Sequence, residues 1–387
     1  MTRTLRLFIG ADADGTEAAL LDGRGLLEYR VERRAAPSGA GNIHCGRVSR
    51  VEKGLGAAFV DIGEERAGFL PLADLAAIPA EGETLLVQVV REAFGGKGAR
   101  LTARPTLAGI LLVLTPATPG ISLSARIDDI RERERLVMLV EGLVREGEGV
   151  VARTAAAGAS LDSLKAEMAR LRAAWVDVQA RAETAEPPAL LYRGEDAALR
   201  LVAENAGRLA EVTVNSRREA ERLQALCDGV LPGMAERILH RPEREWSPSR
   251  EEILEQAEAA LEPRVGLPSG GSLLFEPGQT LTAVDVNSGR AVGDPYGRAD
   301  AEPTLLKTNL EAAAEIARQL RLRNIGGIVV IDFIDMREPR SRERVVSALR
   351  NALAADPAPT RVEPMSRLGL VEMTRRRRGP SLRAMLA

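Results

Sequence analysis

The segment "LTAVDVNSGR", residues 281–290, opens as an apolar strand and closes on a carboxylate, an amide, a hydroxyl and a glycine: Asp285, Asn287, Ser288 and Gly289. A second apolar run, "IGGIVVIDFIDM", carries Asp332 at its end. Between them lies a helical pattern, "TLLKTNLEAAAEIARQLRLR". A helix of that length is a crossover, which suits neighbouring parallel strands. Both carboxylates then emerge at one sheet edge, where α/β sheets place their ligands. Asn287, two residues past Asp285, shares its face. Two carboxylates and an amide form a hard-oxygen site of the kind Mg²⁺ takes, with Mn²⁺ as a substitute. An ion held there could activate a water and stabilise charge on a phosphodiester. The same residue types also build turns and helix caps. The pattern therefore admits two readings, a turn or a metal-binding strand end. Asp335 reads as a capping or supporting group.

Three weaker constellations accompany this one. In "AAFVDIG", Ala58, Val60 and Ile62 alternate with Phe59 and Asp61. If the first three face a core, Phe59 faces out, and Phe69 after the next turn can lie beside it. Outward aromatics suit base stacking; the competing reading is that both rings are core. Lys97, in "GGKG", can meet a phosphate at close range. In "VARTAAAG", Arg153 offers a planar cation beside the Thr154 hydroxyl, a pair suited to a terminal phosphate. The run Arg375–Arg378 is either a solvated tail or a patch for a nucleic-acid backbone.

The elements that must position these residues are legible in outline. The first segments, "TLRLFIGA" and "GRGLLEYRVER", are strands. Residues 42–104 hold five short β segments with glycine turns, which predicts a small barrel. In residues 105–190, "GILLVLTP" and "GVVARTAAAG" are strands and "DDIRERERLVMLVEGLVRE" is helical. Leu161, Leu164, Met168, Leu171, Trp175 and Val178 recur at helical spacing and predict one long amphipathic helix. Residues 191–262 are α/β, with a capping box at Ser249 and Glu252 ahead of "ILEQAEAAL".

Bulk properties limit the classes available. The chain has 387 residues, 45% of them hydrophobic, enough for more than one domain with a real core. Net charge is −2, so no global basic signature points to nucleic acid. Lysine supplies only four of the 53 basic residues, so Lys97 in a glycine cluster stands out. Two distant cysteines, Cys45 and Cys227, make neither a disulfide framework nor a zinc knuckle, and only His44 and His240 could join them. No apolar run is long enough to span a membrane, and the N-terminus turns acidic too soon for a signal peptide. The expected location is cytoplasmic.

Taken together, "GNIHCGRVSRVEKGLGAAFVDIGEERAGFLPLADL", "GVVARTA", "VGLPSGGSLLFEPGQTLTAVDVNSG", "TNLEAAAEIARQLRLRNIGGIVVIDFIDM" and "SRLGLVEMTRRR" resemble the catalytic half of the ribonuclease E/G family, in the family's order and over nearly the whole chain. The resemblance implies an α/β multi-subdomain fold. An RNase H-like subdomain (1–36 and 191–262) is split by an S1-type OB barrel (37–104) and a 5′-sensor subdomain (105–190). A DNase I-like catalytic subdomain with a basic C-terminal tail (263–387) follows. It implies an endoribonuclease that cuts single-stranded RNA in rRNA maturation or mRNA turnover and favours a 5′-monophosphate. Asp285 and Asp332 match the magnesium-binding aspartates, and Asn287 the catalytic asparagine beside them. Phe59, Phe69 and Lys97 match the barrel residues that hold RNA. Arg153 and Thr154 match the 5′-monophosphate sensor, and Gly109 and Val113 the positions lining the terminal nucleotide.

The chain also departs from the family pattern. The Cys-Pro-x-Cys zinc link is missing, so no zinc is expected, and a monomer or dimer is expected in place of a zinc-linked tetramer. The barrel is short after Phe69, at "LADLAAIPAEGE". A sensor arginine from the tail has no in-register match, Arg361 being two positions off. Two other functions stay open: a non-catalytic RNA-binding protein of the same fold, and a Mg²⁺-dependent DNase. Retention of both aspartates argues against the first, and only a fold analogy supports the second.

Overall fold

Short strands broken by glycine fold, as their alternation predicts, into a closed five-stranded barrel. The computed structural model describes residues 4–33, 39–93, 97–289 and 302–386. The end of the opening segment, Arg290, and two glycines of the "GGKG" loop, Gly95 and Gly96, lie outside the described residues. The barrel strands are Ile43–Glu52, Ala57–Asp61, Gly68–Pro71, Thr84–Arg91 and Arg100–Thr102. Closure comes from pairing of Ile43–Arg47 with Thr84–Gln88. Val48, Ala58, Val60, Ile62, Leu70, Val87, Val89, Ala99 and Leu101 fill the interior. Gly98 is required where the chain turns back into the last strand, because a Cβ there would lie 2.1 Å from the Ala67 carbonyl oxygen.

The chain divides into two units, residues 1–18 with 31–246, and residues 19–30 with 247–387. Besides the barrel, the first unit holds a parallel set of strands, Leu5–Ala11, Leu209–Val214 and Ile238–His240. It also holds a four-stranded sheet in the order 120–123, 149–152, 112–115, 107–108. The long helix forms over Leu161–Thr184, started by the Ser160 side chain, which accepts from the Ser163 N–H. Its apolar stripe is core: Leu164, Met168, Leu171 and Val178 are buried.

The second unit is built on a six-stranded sheet in the order 264–266, 272–277, 281–287, 327–332, 370–375, 360–362. Its central pair, Leu281–Asn287 and Gly327–Asp332, is parallel and is joined through the helix Glu302–Leu322. One sheet face is apolar: Val284, Val286, Val329, Ile331, Val371 and Met373 pack with Ala313, Ile316 and Leu320 of that helix. Alternation then sends Asp285, Asn287 and Asp332 to the opposite, open face.

One cap expectation is corrected. The helix runs Glu243–Ala259 without interruption, so Ser249 lies inside it and caps nothing. The buried Trp246, whose ring centroid is 5.6 Å from that of Phe8, anchors the preceding turn and extends the helix backwards.

Candidate functional site

The strand containing Asp285 continues in regular register to Asn287, which settles the choice between a turn and a strand end in favour of the strand. Asp285 is the direct partner of Asp332 across the parallel pair. The Asn287 amide donates to the Asp285 carboxylate at 2.5 Å and fixes that side chain. Beyond it, Gly289 takes a left-handed φ of 58°. A Cβ there would meet the Gly270 carbonyl oxygen at 2.3 Å, so only glycine lets the chain leave the sheet at this point. Asp332 is exposed and Asp285 half-buried, and among the described residues neither has an ion-pair partner. Paired carboxylates on neighbouring strands are oxygen donors of the kind a hard divalent cation takes. Among the described residues no group of three or more His, Cys, Asp or Glu is gathered to hold a metal. What the paired strand ends bring together is two carboxylates and one amide.

The loop leaving Asp332 is pinned from below. Asn309, fully buried in the crossover helix, donates to the Ile334 carbonyl at 2.8 Å and accepts from the Ile334 N–H at 3.1 Å. At the start of the same helix the Glu302 carboxylate accepts from the Arg337 and Glu338 N–H groups at 3.0 and 3.2 Å. Those bonds hold the Glu302 carboxyl below the usual carboxylate range. Asp335 caps nothing: the next helix starts at Pro339 behind Glu338, and Asp335 is exposed beside Gly369.

On the barrel, Phe59 and Phe69 face outward, as alternation predicts. They are direct cross-strand partners with ring centroids 6.1 Å apart in an edge-to-face arrangement. The row extends in both directions. Arg50, paired with Phe59, sets its guanidinium 4.9 Å from that ring's centroid. Arg100, paired with Phe69, sits 5.9 Å from the other ring's centroid. Arg91, paired with Arg100, adds a cation at the end of the strand Thr84–Arg91. Cation, ring, ring and cation thus line up across adjacent strands on the outside of the barrel. Lys97 is exposed in the loop that leads into Arg100.

The third constellation is partly gathered. Arg153 immediately follows the strand Gly149–Ala152 and donates through Nη1 to the Gly109 carbonyl. The same nitrogen bonds the Glu195 carboxylate at 2.7 Å. The Thr154 hydroxyl is 2.9 Å from that of Ser124. Val113 is half-buried one strand away, opposite Val151. Gly109 has no room for a side chain, since a Cβ would lie 2.6 Å from the Glu167 carboxyl carbon. Glu167 accepts from the successive N–H groups of Ile110, Leu111 and Leu112 at 2.7, 2.6 and 2.7 Å, which fixes the loop carrying Gly109. Arg361 lies in the second unit, exposed and ion-paired to Glu363 at 2.7 Å.

The sequence profile described as the Ribonuclease E/G family matches residues 106–378. The chain belongs to the ribonuclease E/G family. It is 36% identical to Ribonuclease G of Escherichia coli strain K12, over 99% of this chain and 82% of that protein. It is 39% identical to Ribonuclease E of a Nostoc species over 88% of this chain and 52% of that protein. Against Ribonuclease E of Haemophilus influenzae it is 36% identical over 97% of this chain and 42% of that protein.

Within this ribonuclease E/G fold, the basic run near the C-terminus is corrected: it is neither a solvated tail nor a free patch throughout. Arg375 is fully buried and bonds Asp356 twice, Nε to Oδ2 at 2.7 Å and Nη2 to Oδ1 at 3.1 Å. Arg378 approaches Glu28 at 3.9 Å. Burial alone would raise the Glu28 carboxyl, but the guanidinium groups of Arg30, Arg321 and Arg378 outweigh it and hold the group far below the usual carboxylate range. Arg50, Arg100, Glu195 and Asn309 are among the site residues that escaped the sequence reading. Asn309 had a signal, being a polar residue inside the apolar helical stripe of Leu306, Ala313, Ile316 and Leu320. No helix among the described residues is long and apolar enough to cross a membrane.

Proposed function

We propose that this endoribonuclease, which family membership places in RNA processing or decay, is Mg²⁺-dependent, cuts single-stranded RNA and favours a 5′-monophosphate. The observation that carries the metal reading is the register: Asp285 opposite Asp332 on parallel strands, facing solvent, with Asn287 fixing the first carboxylate. In this reading the barrel is the S1-type OB module, and the sheet around the aspartates is the DNase I-like catalytic subdomain. Residues 105–190 are the 5′ sensor, and residues 1–36 with 191–262 are the RNase H-like subdomain.

Asp285 and Asp332 would hold Mg²⁺, and Asn287 would orient Asp285 toward it. When bound, the ion supplies an acidified water and a charge sink for the phosphodiester, leaving 3′-hydroxyl and 5′-phosphate ends. Asn309 and Glu302 keep the loop after Asp332 in place, so its carboxylate needs little rearrangement to receive the ion. Phe59 and Phe69 stack bases while Arg50, Arg100 and Lys97 meet the backbone. The deciding experiment is a fluorogenic single-stranded RNA oligonucleotide assayed in Mg²⁺ and in EDTA beside its DNA counterpart. Cleavage of RNA alone, and only with metal, is expected. Cleavage of DNA would support the nuclease with the wrong substrate, and binding without cleavage would leave only an RNA-binding protein.

Phe59→Ala should weaken RNA binding by about 1–3 kcal/mol, the scale of one lost stacked base. Its melting temperature should stay near wild type, because the ring lies outside the barrel core. Fluorescence anisotropy and thermal denaturation on the same preparation check both halves. A large fall in melting temperature with unchanged RNA affinity would make Phe59 a packing residue.

Arg153 and Thr154 together present a fork and a hydroxyl that a 5′-monophosphate can engage and a 5′-hydroxyl cannot. One charge-assisted bond is worth roughly 1.5–3 kcal/mol, so about a tenfold or greater preference for the phosphorylated end is expected. Arg153→Ala should erase it without slowing cleavage of 5′-hydroxyl RNA. Equal wild-type rates on the two substrates would remove the sensor and leave the endonuclease.

A further inference from the structure

We infer that Glu195 sets the strength of 5′-end discrimination by competing with the terminal phosphate for Arg153; this rests on the reading of that subsite given above. In the structure the Arg153 fork is already engaged. Nη1 lies 2.7 Å and Nη2 3.5 Å from the two Glu195 oxygens, and Nη1 also donates to the Gly109 carbonyl. Glu195 is well shielded, with 8% of its side chain exposed, against 19% for Arg153. The Thr154 hydroxyl shares a hydrogen bond with that of Ser124. A phosphate arriving at this pair must displace or share an anion that is already there.

The neighbours define the balance of charge. Arg200 also reaches Glu195, its Nε 3.7 Å from the carboxylate and its Nη2 donating to the Glu195 carbonyl at 2.8 Å. Two guanidinium groups thus face the Glu195 carboxylate, and Arg153 makes the closer contact of the two. Glu32 lies near Arg200 and bonds the Ala197 N–H at 2.8 Å; Asp196 beside it is committed to the Leu199 N–H and to Arg222. A 5′-phosphate brings more than one negative charge. It therefore wins Arg153 from Glu195 only in part, whereas a 5′-hydroxyl never contests it. Neutralising Glu195 removes the competitor for the phosphorylated end alone.

The test is binding, so it does not depend on catalysis. A single-stranded RNA oligonucleotide with either a 5′-monophosphate or a 5′-hydroxyl is titrated by anisotropy in EDTA against the full chain and its variants. Glu195→Gln should raise the affinity ratio between the two ends by about tenfold, the scale of one charge-assisted hydrogen bond. Affinity for the 5′-hydroxyl oligonucleotide should not change. Adding Arg153→Ala to Glu195→Gln should abolish the gain. Glu195→Asp, which keeps the charge on a shorter arm, should give an intermediate ratio and serves if the amide variant folds poorly. A ratio that stays constant or falls in Glu195→Gln, while Arg153→Ala still erases the wild-type preference, overturns the competition and makes Glu195 a support for Arg153. A ratio of one in every protein overturns the subsite itself.

Discussion

Asp332→Asn is expected to lose cleavage of single-stranded RNA by about a thousandfold or more, the rate equivalent of several kcal/mol of lost metal assistance. The substitution is isosteric and removes one charge. Asp332 is exposed, and no ion pair among the described residues depends on it, so the fold should be unaffected. Asp285→Asn should behave alike, because its carboxylate is the registered partner and the Asn287 amide would then face an amide instead of an anion. RNA binding should stay near wild type in both, since the barrel supplies much of the affinity in this account. Single-turnover cleavage and anisotropy on the same oligonucleotide check the two expectations. A variant that cuts at close to the wild-type rate would place the chemistry elsewhere.

Asp356→Ala is the stability counterpart. It would strand the Arg375 guanidinium, whose side chain is fully buried, with the Ile325 carbonyl at 2.8 Å as its best remaining acceptor. Breaking a buried pair by removing one partner costs about 3–5 kcal/mol. For a protein of this size that lowers the melting temperature by an amount on the order of 10 °C. Arg376→Ala, at the exposed neighbour, should melt with wild type. Thermal denaturation of the three proteins decides the matter: if Asp356→Ala and Arg376→Ala melt together, the buried pair contributes nothing measurable.

The parts of the site that could be read in the sequence are those where backbone periodicity alone decides position. Asp285 and Asp332 follow from two apolar runs and a helix long enough for one crossover, and the strands meet in that register. Phe59 and Phe69 follow from alternation. Arg50 did not, because a register shift between Val48 and Arg50 breaks the alternation that would have set it beside Phe59. Arg375 had the period-two signal, sharing a face with the buried Val371 and Met373, but a run of arginines reads as solvent-facing until a buried partner is found. That partner, Asp356, lies across a turn and a strand, with nothing in its neighbourhood to mark it. Glu195 is 42 residues from Arg153, and only the folded chain brings them together. Ser249 shows the opposite failure, a well-formed local cap signal overridden by the packing of Trp246.

Asp285 and Asp332 are proposed here to form a metal-dependent hydrolytic centre. Its most direct test is cleavage of a 5′-monophosphorylated single-stranded RNA as Mg²⁺ is titrated from zero, with wild type and Asp332→Asn side by side and product ends identified by mass. The account predicts a metal-dependent rise for wild type, 5′-phosphate and 3′-hydroxyl products, and cleavage by the variant slower by about a thousandfold or more at every Mg²⁺ concentration. Wild-type cleavage that persists in EDTA, or a variant that follows the wild-type curve, would contradict it.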